Sequence, residues 1–160
     1  MKKALAIVCV ATFAMNAHAG VKEKKAQRAA EENIAAAIAD TKAACGNAQL
    51  DVKVAWDEVD AMAASNESII KDKGMTLPQI YDGLGKRTKA TLESLTKICK
   101  DDADYKAAIA EMTNVEVKTK PKYDDYKSAF TLEGTTLTIQ NGWYMTRSAS
   151  DFRSRLMELY

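Results

Sequence analysis

Few side chains in this 160-residue chain are suited to chemistry, because its one histidine, His18, sits in a segment built for removal. Lys2 and Lys3 form a positive start, Ala4 to Ala14 an apolar stretch, and Ala17-His18-Ala19 a small-x-small cleavage site. Residues 1–19 are therefore expected to be a secretory signal peptide and residues 20–160 the working domain, beginning at Gly20. A membrane anchor is the weaker reading, since the apolar stretch is well short of the roughly 20 residues a spanning helix needs. Cys9 follows Ile7-Val8 rather than small residues, which argues against a lipidated cysteine.

A domain without imidazole has no Ser-His-Asp or Cys-His nucleophile system, no histidine general base and no histidine-bearing zinc site. Lysine, carboxylate and tyrosine chemistry remain. Ser68-Ile69-Ile70-Lys71 and Ser94-Leu95-Thr96-Lys97 have the S-x-x-K spacing in which a lysine one turn on activates a serine. Neither the S-D-N nor the K-T-G companion occurs. Gly83-Leu84-Gly85-Lys86-Arg87 resembles a phosphate loop only superficially, because Ile80 and Arg87 stand where a P-loop needs Gly and Ser or Thr. Asp101, Asp102 and Asp104 lack the glycine and distal glutamate of a calcium loop, and they suit the positive start of a helix. Asp124-Asp125 could supply half of a carboxylate pair for glycoside cleavage, but such pairs are defined by separation in space. No metal site and no cofactor is expected.

The residues that best suit ligand contact are Lys118, Lys120 and Lys122, which would share one side of a strand, together with Tyr123 and Tyr126. A basic and aromatic surface of this kind suits an anionic glycan, a lipid headgroup or an acidic protein segment. Trp143 and Tyr144 point to opposite faces after Asn141-Gly142, so one of them is a further contact candidate. The plainer account of the lysines and Pro121 is protection of a sheet edge.

Cys45 and Cys99 survive signal removal, and two thiols in one small exported domain point to a disulfide. An intermolecular bridge, a reactive thiol and a metal ligand are the competing readings. Paired, they would close a loop of about 55 residues and stabilise the fold by roughly 4 kcal/mol.

These residues must be held by elements legible in the hydrophobic pattern. Lys22 to Ala44 is rich in Ala, Glu, Lys and Arg, with Ile34, Ile38 and Cys45 on one helical stripe; Gly46-Asn47 stops it. Residues 49–55 alternate as a strand, although a helix over 50–64 also fits, and a short helix follows from Asp57 to Ala64. Ser65 to Gly74 reads as polar connection. Thr76-Leu77-Pro78-Gln79 starts a helix whose stripe runs Ile80, Leu84, Thr88, Leu92, Leu95 and Cys99. Gly83 and Gly85 weaken that helix and mark a close approach of another backbone. Asp101-Asp102 starts a shorter helix carrying Tyr105, Ile109 and Met112. Val115 and Val117 alternate with Glu116 and Lys118 in a strand that Pro121 ends. Runs at 129–132, 135–140 and 143–147 are separated by Glu133-Gly134 and Asn141-Gly142, which reads as a meander of hairpins. Ser148 or Ser150 caps a last helix with Phe152, Leu156 and Leu159 inward.

The expected fold class is α+β: an antiparallel sheet of about four or five strands ending in a C-terminal meander, helices packed on one face, and one disulfide. Removing Lys2 and Lys3 leaves 21 basic against 22 acidic side chains, so nothing steers the whole molecule to nucleic acid or anionic lipid. No later stretch is apolar enough for stable membrane insertion. The expectation is an exported bacterial binding domain, periplasmic or secreted, that engages an envelope protein or anionic polymer without catalysis. A small carboxylate-based hydrolase of envelope polymers and a helical periplasmic chaperone or scaffold are the alternatives. The oligomeric state stays open.

Overall fold

The computed structural model describes residues 13–143 and 152–160. Helix α1 (Phe13–Cys45) runs unbroken across the expected cleavage position and stops where Gly46 takes a φ of 71°. That left-handed conformation costs glycine little and terminates helices for this reason. Ala30, Ile34, Ala37, Thr41 and Cys45 recur every three or four residues along α1 and are all buried. Asn47, buried just past the end, donates its amide to the carbonyls of Ile109 and Met112 at 3.2 and 2.6 Å. Its Oδ1 accepts from Leu50 N–H at 3.1 Å, which aims the chain into β1 (Asp51–Val54). The alternating reading of this segment is the one the structure takes.

Helix α2 (Trp56–Ser65) and a short α3 (Glu67–Asp72) follow. The second occupies the stretch read as polar connection; of its two adjacent isoleucines only Ile70 is buried, so it carries no repeating stripe. Helix α4 (Leu77–Asp101) begins with Pro78 in its first turn and with Gln79 Oε1 accepting from the Thr76 N–H at 2.9 Å. It is buried on several sides because it lies between α1 and the sheet, with Leu84, Leu92 and Leu95 fully inside. Full burial of each such leucine contributes about 1.5–3 kcal/mol. Ala30 faces Gly85, Thr41 hydrogen-bonds the Leu92 carbonyl and Thr96 hydroxyl, and Cys45 is bonded to Cys99. Matching positions thus keep an offset close to the disulfide's 54 residues, so α1 and α4 run parallel. Helix α5 (Ala103–Ala110) starts on Asp102, whose side chain accepts from the N–H groups of Asp104 and Tyr105.

The remaining strands are β2 (Asn114–Thr119), β3 (Ala129–Glu133) and β4 (Thr136–Asn141). The four-stranded sheet has the order β1-β2-β4-β3, with β1 and β4 parallel to β2 and only β3 antiparallel to its neighbour. This corrects the expected antiparallel sheet and C-terminal meander. The long helical excursion from β1 to β2 permits a parallel pair, which a hairpin cannot make. Residues 120–128 then carry the chain past one strand position to the outer edge, and the β3–β4 hairpin returns β4 beside β2. Its two-residue loop carries Gly134 at φ 58°, a conformation suited to a tight hairpin turn.

Asn141-Gly142 is not such a turn. Asn141 is fully buried, and a Cβ on Gly142 would stand 2.4 Å from the Tyr126 carbonyl carbon, so the glycine permits a close backbone contact. The expected strand at 143–147 falls outside the described residues beyond Trp143, as do the proposed caps Ser148 and Ser150. Helix α6 (Arg153–Met157) closes the core with Phe152 and Leu156. Alternation gives the sheet two unlike faces. Val115, Val117, Phe130, Leu137 and Ile139 are buried on one, and no described element covers the other.

Candidate functional site

The face of the sheet that no described element covers carries a concave polar surface. Register assembles it row by row. Asp51, Asn114, Thr136 and Glu133 form one row across the four strands, and Lys53, Glu116, Thr138 and Thr131 the next. Lys118, Gln140 and Ala129 form the third, across β2, β4 and β3. Residues two apart on a strand point the same way, so all of these side chains stand on the side opposite the core. The small side chain of Ala129 and the short threonines leave a hollow of about 490 Å³ between Glu116, Lys118, Glu133 and Gln140.

The charge in this hollow is held locally. Lys118 Nζ lies 3.0 Å from Glu116 Oε2, and both side chains remain about two-fifths exposed. The hydrogen bond to Glu116, and then its negative charge, hold the Lys118 ammonium above the ordinary lysine pKa. The remaining lining is hydroxyl, carboxylate and amide. Such a surface can exchange hydrogen bonds with a polar ligand in both directions. Among the described residues its lining contains no aromatic platform and no cysteine or histidine. Among the described residues there is no group of three or more Asp, Glu, Cys or His side chains placed to hold a metal ion.

The residues expected from sequence to form one basic and aromatic surface are dispersed. Only Lys118 lies on the open face, because β2 ends at Thr119. Lys120 still donates its backbone N–H to Asn141 O at 3.1 Å, but its ammonium turns to Asp125 Oδ2 at 2.9 Å. Lys122 is exposed in the following loop. Tyr123 is buried, and its backbone N–H donates to Asn66 Oδ1 at 3.2 Å. Trp143 is buried too, its indole N–H donating to the Lys120 carbonyl at 3.3 Å. Tyr126 is exposed, and Tyr144 lies outside the described residues. The single-sided stripe is therefore corrected: Pro121 ends the ladder, and the loop folds two of the aromatics into the body.

Ser94 is buried while Lys97, three residues on, is exposed, so that pair does not meet. Gly83 to Arg87 lies within α4, not in a loop at a helix start. Thr131, Thr136, Thr138 and Gln140 are among the site residues that sequence reasoning passed over. Their signal was present, since each alternates with a buried Phe130, Leu137 or Ile139. No protein-family model, curated protein or solved structure matches this chain.

Proposed function

We propose that the protein is a non-enzymatic binding domain, exported to the periplasm or beyond, whose open sheet face engages another envelope protein. The observation that carries this reading is the 490 Å³ polar hollow on that face, framed by Glu116, Lys118, Glu133 and Gln140 and floored by threonines. Mixed charge with abundant hydroxyl and amide groups complements a protein surface of similar polarity. A sugar polymer would favour an aromatic stacking surface, which the described residues of the lining do not supply. Export is supported by the pattern of residues 1–19 and by the Cys45–Cys99 disulfide, a bond that persists in oxidising compartments.

The test places a photo-crosslinking side chain at Thr138 in the full chain, expressed in its native cell, with the same group at exposed Lys100 as control. A discrete protein adduct at Thr138 alone, weakened by Lys118→Glu, supports the reading. An adduct removed by glycan hydrolases, equal labelling at both positions, or none at Thr138 rejects it. Mass measurement of the recovered protein checks export, which requires a chain beginning at Gly20.

A further inference from the structure

Strand β1 is the outer strand of the sheet beside β2. The Asp51 N–H donates to Thr113 O at 3.0 Å and the Ala55 N–H to Val117 O at 2.9 Å, so residues 51, 53 and 55 turn their backbone toward β2. Val52 and Val54 consequently point their N–H and C=O groups away from the sheet. Beside this edge runs a groove of about 340 Å³, where Ile34, Ala35 and Ile38 of α1 approach Val52, Val54 and Trp56, with the carboxylates of Glu31 and Asp51 also on its lining. Val52, Val54, Trp56 and Ile38 are each only half-buried. Sheet edges are blunted by short length, charged side chains, a proline, a bulge or a covering element; β1 has no proline, and its own protection is its four-residue length and Lys53. On its other side stand Asp51 and Lys53, both exposed and neither in an ion pair among the described residues.

We propose that the occupant of this edge is a second copy of the chain, joined through antiparallel pairing of the two β1 strands about a two-fold axis at Val52. Because Val52 and Val54 carry the outward amides, a hydrogen-bonded antiparallel pair has three short registers. Val52 opposite Val54 sets Lys53 against Lys53. Val54 opposite Val54 sets Lys53 against Ala55. Val52 opposite Val52 sets Asp51 of each copy against Lys53 of the other, twice. Opposite charges directly across an antiparallel pair attract and like charges repel, so charge selects the Val52-centred register. The same arrangement gives one continuous eight-stranded sheet, with the groove of each copy, apolar along Ile34, Ile38, Val52, Val54 and Trp56, beside that of its mate. An isologous contact of this kind closes on itself and does not propagate into a filament.

The charges supply a test that a general loss of folding cannot mimic. In Asp51→Lys the paired positions become lysine against lysine, and in Lys53→Asp they become aspartate against aspartate. Mixed together, the two variants restore opposite charges at both contacts. Sedimentation equilibrium of the full oxidised chain is expected to show dimer for the wild type. Each single variant should raise the dimer dissociation constant roughly tenfold or more, and an equimolar mixture should recover dimer. Thermal unfolding of the variants under monomeric conditions should match the wild type, since both side chains are exposed. A wild-type monomer at every concentration, dimerisation indifferent to either variant, or a mixture that stays monomeric overturns the proposal.

Discussion

A Cβ on Gly85 of α4 would stand 2.7 Å from the Cβ of Ala30 in α1. Real Cβ atoms do not approach so closely, so the glycine is the condition for the parallel helices to touch. This explains a residue that costs α4 up to about 1 kcal/mol in helix propensity. Gly85→Ala should lower unfolding free energy by about 1–3 kcal/mol, the overpacking cost outweighing the propensity gain. Gly83 has nothing within 4 Å of its Cβ position, and Gly83→Ala should stabilise by up to about 1 kcal/mol. Opposite shifts of the urea midpoint at positions two residues apart would establish the contact. Ala30→Gly should partly rescue Gly85→Ala, because the Ala30 Cα still stands 2.9 Å from the added carbon.

The disulfide joins the same two helices at their C-terminal ends, with Cys45 and Cys99 both buried. Removing it frees a loop of about 55 residues in the unfolded chain, a loss of roughly 4 kcal/mol in the chain-entropy account. The double variant Cys45→Ala with Cys99→Ala should therefore unfold at much lower urea concentration than the oxidised wild type. Reductant should move the wild type toward the variant and leave the variant unchanged.

Local pattern made the helices legible, and it made the faces of the strands legible, but it did not reveal which strands are neighbours. Val115 and Val117 alternate identically whether their partner is Leu137 and Ile139 in parallel or a hairpin strand in antiparallel orientation. The choice rests on the helical path between β1 and β2 and on the loop at 120–128, which are non-local. Helix α3 is silent in the sequence because a short helix that buries Ile70 alone has no repeating period. The candidate site was obscured for a different reason. Lysine and aromatic residues drew attention by type, whereas Tyr123 and Trp143 are held inside by Asn66 and the Lys120 carbonyl. Threonine has no comparable chemical signature, and its importance here comes from standing in rows on an uncovered sheet.

Asn141 reads in sequence as half of a turn because its partners are far away along the chain. Its Nδ2 donates to Thr88 Oγ1 of α4 at 3.1 Å, and its Oδ1 accepts from Ser128 Oγ at 3.4 Å. All three residues are buried, so removing one polar partner leaves others unsatisfied. Asn141→Leu should cost about 1–3 kcal/mol, and Thr88→Val a comparable amount. The two side chains share one hydrogen bond, so the double variant should cost less than the sum. Strict additivity in a double-mutant cycle measured by urea unfolding would show that the contact does not couple α4 to the sheet.

Lys120 and Asp125 offer a pH-dependent probe of the loop that leaves the sheet. The hydrogen bond from the Lys120 ammonium, its positive charge and a backbone hydrogen bond from Lys127 hold the Asp125 carboxyl below the ordinary aspartate pKa. A lowered native pKa means that the unfolded chain binds the proton more readily. The pair's contribution is thus fully present above the ordinary aspartate pKa of about 3.9 and is lost as pH falls through the lowered native value. With the Asp125 side chain 44% exposed, solvent screening keeps that contribution to no more than about 1 kcal/mol. Lys120→Met should move the Asp125 carboxyl titration, followed by NMR, up toward the ordinary value, and it should flatten the acid limb of stability against pH. The Trp143 indole donates to the Lys120 backbone carbonyl and not to its side chain, so its fluorescence at neutral pH should not change. An altered Trp143 signal together with an unmoved Asp125 titration would mean that the loop is anchored through packing alone and the ion pair is incidental to it.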